Sequence, residues 1–400
     1  MDWSSKQQAA LASVARWLKE PGTNKVFRLF GYAGTGKTTL ARHFAEGCGG
    51  LVLFAAFTGK AASVMRANGC HNANTIHRLI YKPAPKSEQR LLELRGHLAE
   101  LKAEDPVNEQ AVANTLQEMR DIEQDLKQPA FTLNFESDVR HASLVVIDEC
   151  SMVDGRMADD LMSFGTPILV LGDPMQLPPV GGAGYFTNAE PDVMLTEIHR
   201  QAQDSPIIRL ATEVREGGWL RPGSYGDSLV VDRSDLDRES VMLYDQILVG
   251  RNNTRRMSNA RAREILKREG PLPVSGDKLV CLRNDHQIGL LNGELWTTIE
   301  STVLDNDTLS VSLRNEEDQR PMACMVHRHH FEGRELGYWE KRQAQEFDYG
   351  YALTTHKAQG SQWPQVIVFD ESGCFRQDRK RWLYTAITRA AQRVAVVTGL

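Results

Sequence analysis

Along the chain the period of apolar positions changes several times, and each change predicts an element. Residues 4–19 (SSKQQAALASVARWLK) place apolar side chains at helical spacing behind a serine cap, which predicts a helix. A turn at Pro21-Gly22 leads to VFRLF, read as a short strand, then to GYAGTGKTTLARHF, a glycine loop running into a helix. LVLFAAF (51–57), SLVVIDE (143–149) and PILVLGD (167–173) are continuous apolar runs of strand length. Strands apolar on both faces, alternating with helices, predict a parallel sheet covered on both sides. That is a doubly wound α/β domain over residues 1–82 and 136–192.

Residues 83–135 break this texture. Leu91, Leu94, Leu98 and Leu101 fall at a/d-like spacing, and Val112, Leu116, Met119 and Leu126 continue a stripe beyond a turn near Asp105-Pro106. An antiparallel helical hairpin inserted into the first domain is the economical reading. A second α/β unit is predicted over 193–270 and 346–400, with DQILVG (245–250) as a strand and NTRRMSNARAREILKREG as a basic helix. Between its halves, KLVCLRN, ELWTTIES and TLSVSLRN alternate and are parted by turn residues, which predicts a small β-rich insertion over 271–345. The basic helix, with Arg255, Arg256, Arg261, Arg263, Lys267 and Arg268, reads first as a solvated face. Trp296 and Trp339 are expected to be buried rather than stacked on bases.

Composition changes the picture only by exclusion. At 41% hydrophobic and 25% charged residues, the chain is of the soluble globular class, with no run long enough for a membrane-spanning helix. A net charge of −5 excludes a uniformly basic binder but not a local basic groove. The six scattered cysteines form neither a disulfide framework nor a zinc pattern, and the start MDWSSKQQ is no export signal, so a cytoplasmic protein is expected.

Gly31-Tyr-Ala-Gly-Thr-Gly36-Lys37-Thr38 matches G-x-x-x-x-G-K-[ST] between a strand and a helix. Gly34, Thr35, Gly36, Lys37, Thr38 and Thr39 are the candidate phosphate cradle. Lys37 supplies charge toward the β- and γ-phosphates of ATP, and the Thr38 hydroxyl can hold Mg²⁺. Asp148, at the end of an apolar strand, is the second candidate for Mg²⁺, and Glu149 the base for the attacking water. This pair with Lys37 in one sheet predicts an NTPase.

The remaining blocks choose among NTPases. In order, the chain resembles a superfamily 1 helicase of the 5′→3′ branch that includes the RecD-like and phage Dda-like enzymes. SSKQQ resembles the Q motif, FTGKAA (57–62) motif Ia, and TIHRLI (75–80) the next DNA-contacting block. IDECSMV resembles the family's Walker B, LGDPMQLPPV (171–180) motif III, and LTEIHRQ (195–201) motif IV. YALTTHKAQGSQ resembles motif V and LYTAITRA motif VI, so the likeness runs from Gln7 to Arg389.

That resemblance implies two RecA-like domains, the second carrying an SH3-like module. It puts Gln7 at the adenine edge, Gln176 as a γ-phosphate sensor, and Arg200 and Arg389 reaching the same phosphate across the interdomain cleft. It places Thr58, Lys60, His77, Pro179, Thr355, His356 and Lys357 on single-stranded DNA, and Gly360 at a close backbone approach near the nucleotide. The implied function is ATP-driven 5′→3′ translocation and duplex unwinding at single-strand/double-strand junctions by a monomeric motor. The implied setting is a bacterial or phage-infected cell, with single-strand-binding, recombination or replication partners. A rival reading is a translocase that strips proteins or drives a larger complex while unwinding little alone. A nuclease fusion is not expected, since no carboxylate-rich domain follows motif VI. A small-molecule kinase would need neither Arg389 nor the TGKAA and TTHKAQG blocks.

Overall fold

The computed structural model describes residues 3–20, 22, 24–83, 88–103, 108–127, 131–179, 182, 184–197, 204–285, 288–334 and 344–399. Helix α1 (Ser5–Lys19) opens on a capping box: Ser4 Oγ accepts the Gln7 N–H while Gln7 Oε1 accepts the Ser4 N–H. Then follow β1 (Val26–Gly31), α2 (Lys37–Glu46), β2 (Val52–Ala56), α3 (Gly59–Ala67), β3 (Asn74–Thr75), α4 (Ile76–Ile80) and β4 (Tyr81–Pro83). Helices α5 (Glu88–Ala103) and α6 (Glu109–Lys127) come next, then β5 (Phe131–Leu133), β6 (Leu144–Asp148), α7 (Gly155–Met162), β7 (Ile168–Gly172) and β8 (Val193–Leu195).

The first sheet has the order β3-β2-β6-β7-β1-β8, parallel throughout. Its central strands are buried on both faces, which is why their sequences are unbroken apolar runs. Because β7 lies between β1 and β6, the three strand ends that carry the P loop, the 173–179 loop and Asp148-Glu149 stand side by side.

The second unit begins with α8 (Pro206–Glu216), β9 (Gly223–Tyr225), β10 (Ser228–Asp232), β11 (Gln246–Val249) and α9 (Asn252–Ile265). Strands β12 (Lys278–Cys281), β13 (Leu295–Val303), β14 (Thr308–Asn315) and β15 (Pro321–His327) precede α10 (His329–Glu332) and β16 (Phe347–Tyr349). The chain closes with β17 (Ala352–Thr354), β18 (Trp363–Phe369), α11 (Arg379–Ile387) and β19 (Ala390–Thr398). The second sheet, β17-β11-β18-β19-β10-β9, is parallel except at its β9 edge, so the fold is two RecA-like α/β domains. The β-module is a five-stranded antiparallel sheet, β15-β14-β13-β12-β16, around a core that includes Trp296 at 0% exposure.

Three boundaries differ from the sequence reading. Strand β8 pairs with β1, so residues 193–195 belong to the first unit rather than the second. Strand β16 pairs with β12, so the β-module runs past residue 345 to Tyr349. The helical insertion is closed at its base by an antiparallel ribbon of β4 and β5, with Tyr81 opposite Leu133. Its two helices pair through contacts such as Arg90 to Glu118 at 2.9 Å. Leu91 and Leu94 are buried and Leu98 is half-buried. Trp339 lies outside the described residues.

Candidate nucleotide site and strand-facing cleft

The P loop leaves β1 at Gly31, where an added Cβ would stand 2.6 Å from Thr35 Oγ1 and 2.9 Å from Leu195 Cβ. Only glycine admits that closeness. Gly34 and Gly36 take left-handed φ values of 78° and 77°, and Gly36 caps α2 without a side chain, leaving the helix N-terminus open to an anion. Thr35 is buried, its hydroxyl donating to the Tyr32 carbonyl, and Thr39 lies in the first turn of α2. Lys37 folds back over the loop and donates to the Gly31 and Tyr32 carbonyls at 2.6 and 3.1 Å.

Across the sheet, Thr38 Oγ1 donates to Asp148 Oδ2 at 2.7 Å. The other Asp148 oxygen accepts the Glu149 N–H, and Glu149 itself sits at φ 52°, a strained conformation for a non-glycine residue. Burial, and then the adjacent Glu149 charge, push the Asp148 carboxyl above its ordinary value, while Thr38 and Lys37 oppose the rise. Gln7 is held within the protein beside the P loop. Its amide is 4% exposed, bound to the Ser4 N–H on one side and donating to the Thr35 carbonyl at 3.2 Å on the other. It ties α1 to the P loop.

The 173–177 segment joins the two domains. Asp173, 1% exposed, accepts the Met175 N–H at Oδ1 and the Tyr384 hydroxyl at Oδ2, 2.7 Å away. Tyr384, on α11 of the second domain, also accepts the Ala33 N–H of the P loop at 2.9 Å. Thr385 Oγ1 accepts the Leu177 N–H at 2.9 Å, and Gln359 Nε2 donates to the Leu177 carbonyl at 2.8 Å. The Leu177 side chain is buried in the second domain's core with Ala358, Trp382 and Leu383. Arg215 of α8 covers the Tyr32 ring at 4.0 Å. Sequence reasoning assigned no role to Tyr384, Thr385 or Gln359, although all three lie inside the quoted motifs.

Gln176 is buried beside this junction, and its Oε1 has no hydrogen-bond partner among the described residues. Arg389, 6% exposed, donates to the Thr385 and Ser361 carbonyls and to the Thr388 hydroxyl. Arg200 lies outside the described residues.

The strand-facing residues divide. Pro179 and His356 line a cleft of about 520 Å³ between the domains, together with Phe375 and Arg381. His356 packs 5.6 Å from the Phe375 ring, and burial lowers its pKa, so the imidazole is neutral at physiological pH. Lys357, the next residue, lines a different cavity, between α9 and the β-module. Thr58 caps α3 by accepting the Ala61 N–H, and Lys60 is ion-paired with Glu317 of the β-module at 2.5 Å.

Thr355 and Gly360 depart from their expected roles, and His77 gains ring neighbours. Thr355 was expected on the strand. It is fully buried and its backbone and hydroxyl both donate to the Val249 carbonyl, so its side chain faces the sheet. Gly360 was expected near the nucleotide. At φ 76°, an added Cβ would instead stand 2.8 Å from Thr58 Oγ1 and 3.0 Å from Ala61 Cβ, so it serves the contact with α3. His77, which the resemblance puts on single-stranded DNA, is half-buried. It lies in an aromatic cluster with Phe57, Tyr81 and Phe131 at 5.5–6.1 Å.

Comparison with known proteins fits this geometry. A family model described as AAA domain matches residues 3–222, and a UvrD-like helicase C-terminal domain matches residues 349–397. The chain is 24% identical over 285 residues to the ATP-dependent RecD2 DNA helicase of Deinococcus radiodurans, covering 62% of this chain and 35% of that protein. It is 24% identical over 294 residues to the conjugal transfer protein TraA of Rhizobium radiobacter, covering 64% and 24%. The chain thus spans about a third or less of the length of these curated relatives. Among solved structures, the Pif1 helicase of Candida albicans superposes with a TM-score of 0.53 at 17% identity, over 100% of this chain and 95% of that one. Bacteroides Pif1 bound to ssDNA gives 0.51 at 17%, over 99% and 92%. With the P loop and the acidic strand end side by side on the first sheet and a second RecA-like domain bound to the P loop through Tyr384, the chain belongs to the AAA domain family and is similar to the RecD2 and Pif1 helicases.

Proposed function

We propose that the protein is an ATP-driven motor that moves 5′→3′ along single-stranded DNA and opens duplex at single-strand/double-strand junctions. One observation carries the reading: Tyr384 of the second domain binds both the Ala33 amide of the P loop and Asp173 of the first domain. A nucleotide that reshapes the P loop therefore acts directly on the interdomain joint, which is the coupling a translocase needs. The strand path crosses the same joint, since Pro179 and His356 flank its cleft and Gly360 meets Thr58 beside it.

Thr38 and Asp148 suit Mg²⁺: a hydroxyl and a carboxylate 2.7 Å apart leave the remaining positions to phosphate oxygens and water. The ion would offset phosphate charge there. Glu149 is the base for water, Lys37 the phosphate cation, and Arg389 the charge supplied from the second domain. A monomeric motor in the cytoplasm of a bacterial or phage-infected cell, working with single-strand-binding, recombination or replication proteins, completes the reading.

The test is steady-state ATP hydrolysis with and without single-stranded DNA, followed by unwinding of 5′-tailed and 3′-tailed duplexes. Strong stimulation with unwinding of the 5′-tailed substrate alone is expected. Stimulation without unwinding supports a protein-displacing translocase or the motor of a larger complex. No stimulation by any nucleic acid overturns the reading.

A further inference from the structure

His356 and Lys357 are consecutive, yet they face different cavities. His356 lines the interdomain cleft, and Lys357 lines a cavity of about 870 Å³ between α9 and the β-module. The second cavity is walled by Arg255, Arg256, Arg268 and Arg334 as well as Lys357. The carboxylates of Asp348, Glu264 and Glu332 also line it, but they are ion-paired with Arg255, Arg261 and Arg328, so on a chain of net charge −5 the cavity keeps a local excess of cations.

The cations are of two kinds. Arg255 is ion-paired with Asp348 at 2.8 Å, and Arg263 with Asp277 at 3.2 Å while covering the Tyr349 ring; both are nearly buried and hold α9 to the β-module. Arg256, Arg268, Arg334 and Lys357 have no carboxylate partner among the described residues. The Nε of Arg268 is buried without a hydrogen-bond partner among the described residues. Lost hydration, and then the like charge of Arg255, lower the Lys357 pKa. Unpaired cations gathered this closely repel one another, and an anion between them removes the cost.

We propose that this cavity is a second backbone-binding station, which grips phosphates of the single strand as it passes from motif V under the β-module. The inference rests on the strand-translocating function proposed above and extends the path beyond it. Arg256, Arg268, Arg334 and Lys357 make the contacts. Arginine and lysine directed at phosphates read no bases, so the station is indifferent to sequence. The cavity exceeds the size of one phosphate group, which suits a passing chain better than a captured small anion.

The test is the salt dependence of single-strand affinity for the double variant Arg256→Gln/Arg334→Gln, both exposed positions, measured on a long oligonucleotide and on one too short to pass motif V. A single-strand contact contributes about 0.7 to the slope of log affinity against log salt, so losing two contacts lowers the slope by about 1.4 on the long strand. The short strand should show no change. Arg233→Gln/Arg238→Gln, an equal charge change at exposed positions elsewhere, should leave both slopes as they are. An unchanged slope on the long strand, an equal fall on both strands, or the same fall in the control pair overturns the station. A wild-type protein that binds no single strand defeats the proposed function itself, which is a separate result.

Discussion

The hydroxyl of Tyr384 lies 2.7 Å from Oδ2 of Asp173, a carboxylate 211 positions earlier in the chain, and the same oxygen accepts the Ala33 amide. Burial, then Asp173, holds the phenol far above its ordinary pKa, so it is always a donor to the carboxylate. Burial also raises the Asp173 carboxyl, while Lys37 and Tyr384 oppose the rise. The hydroxyl is thus the shortest described link between the nucleotide loop and the second motor domain.

Tyr384→Phe removes that link and little volume. The buried Asp173 oxygen and the Ala33 N–H lose a partner, which costs about 1–3 kcal/mol per unsatisfied group. Thermal unfolding should shift downward accordingly. The decisive readout is kinetic: basal hydrolysis persists while stimulation by single-stranded DNA falls. Undiminished stimulation would mean that the joint is held by Leu177 and its partners alone.

Glu317 occupies Lys60, a cation expected on the strand, at 2.5 Å. The pair is half-exposed on the glutamate side, so its stability value is below about 1 kcal/mol. Glu317→Gln should therefore leave unfolding unchanged while strengthening single-strand binding, because Lys60 no longer has a competing carboxylate. Lys60→Ala should weaken binding and reduce its salt dependence. Equal affinities for wild type and Glu317→Gln, measured by titration at low salt, would take Lys60 off the strand path.

Gly360→Ala tests the contact between motif V and α3. At φ 76° an alanine is strained by about 1–2 kcal/mol. Its methyl would also stand 2.8 Å from Thr58 Oγ1, so the domains must separate locally. Single-strand affinity and DNA-stimulated turnover should fall together, with ATP affinity preserved. A loss of ATP affinity instead would return Gly360 to the nucleotide, where the motif likeness had put it.

Lys37→Ala and Glu149→Gln separate binding from turnover. The first should abolish hydrolysis. The second keeps shape and hydrogen bonding but loses the base, so ATP binding should survive while turnover stops. Fluorescent-nucleotide titration beside a phosphate-release assay distinguishes the two.

The sequence disclosed what is written in long, uninterrupted signals. The buried strands β1, β2, β6 and β7 are continuous apolar runs because both faces of the sheet are covered. Short pairings were not legible. Strands β4, β5 and β8 have three residues each, too few for a period to show, and only their partners define them. The motifs named the residues of the site but not their direction. Thr355 stands in a strand-contacting block and yet turns inward to Val249, because its residue follows directly on buried β17. The Tyr384 contact joins residues 351 apart in the chain at Ala33, and no local pattern encodes such a distance.

Arg389 carries the sharpest demand on the two-domain site. Its guanidinium is bound to Thr385, Ser361 and Thr388, all in its own domain. To stabilise charge spreading over a phosphate in the first domain, it must exchange some of these neutral acceptors for anionic oxygen, a stronger partner. On the proposed function, nucleotide binding and domain closure would supply that exchange. Arg389→Ala should lose DNA-stimulated turnover by roughly 10³-fold or more, the scale of an arginine contributed in trans to phosphoryl transfer. The Ser361 carbonyl loses its guanidinium donor while the Thr385 carbonyl keeps the Thr388 hydroxyl, so the variant should also lower the unfolding temperature, and Arg389→Lys is the companion variant. Lysine restores the charge but not the fork that spans three acceptors, and should recover stability in part while turnover stays low. Single-strand affinity should change little in either. Normal turnover in the folded Arg389→Ala protein would confine the chemistry to the first domain and defeat the cleft assignment.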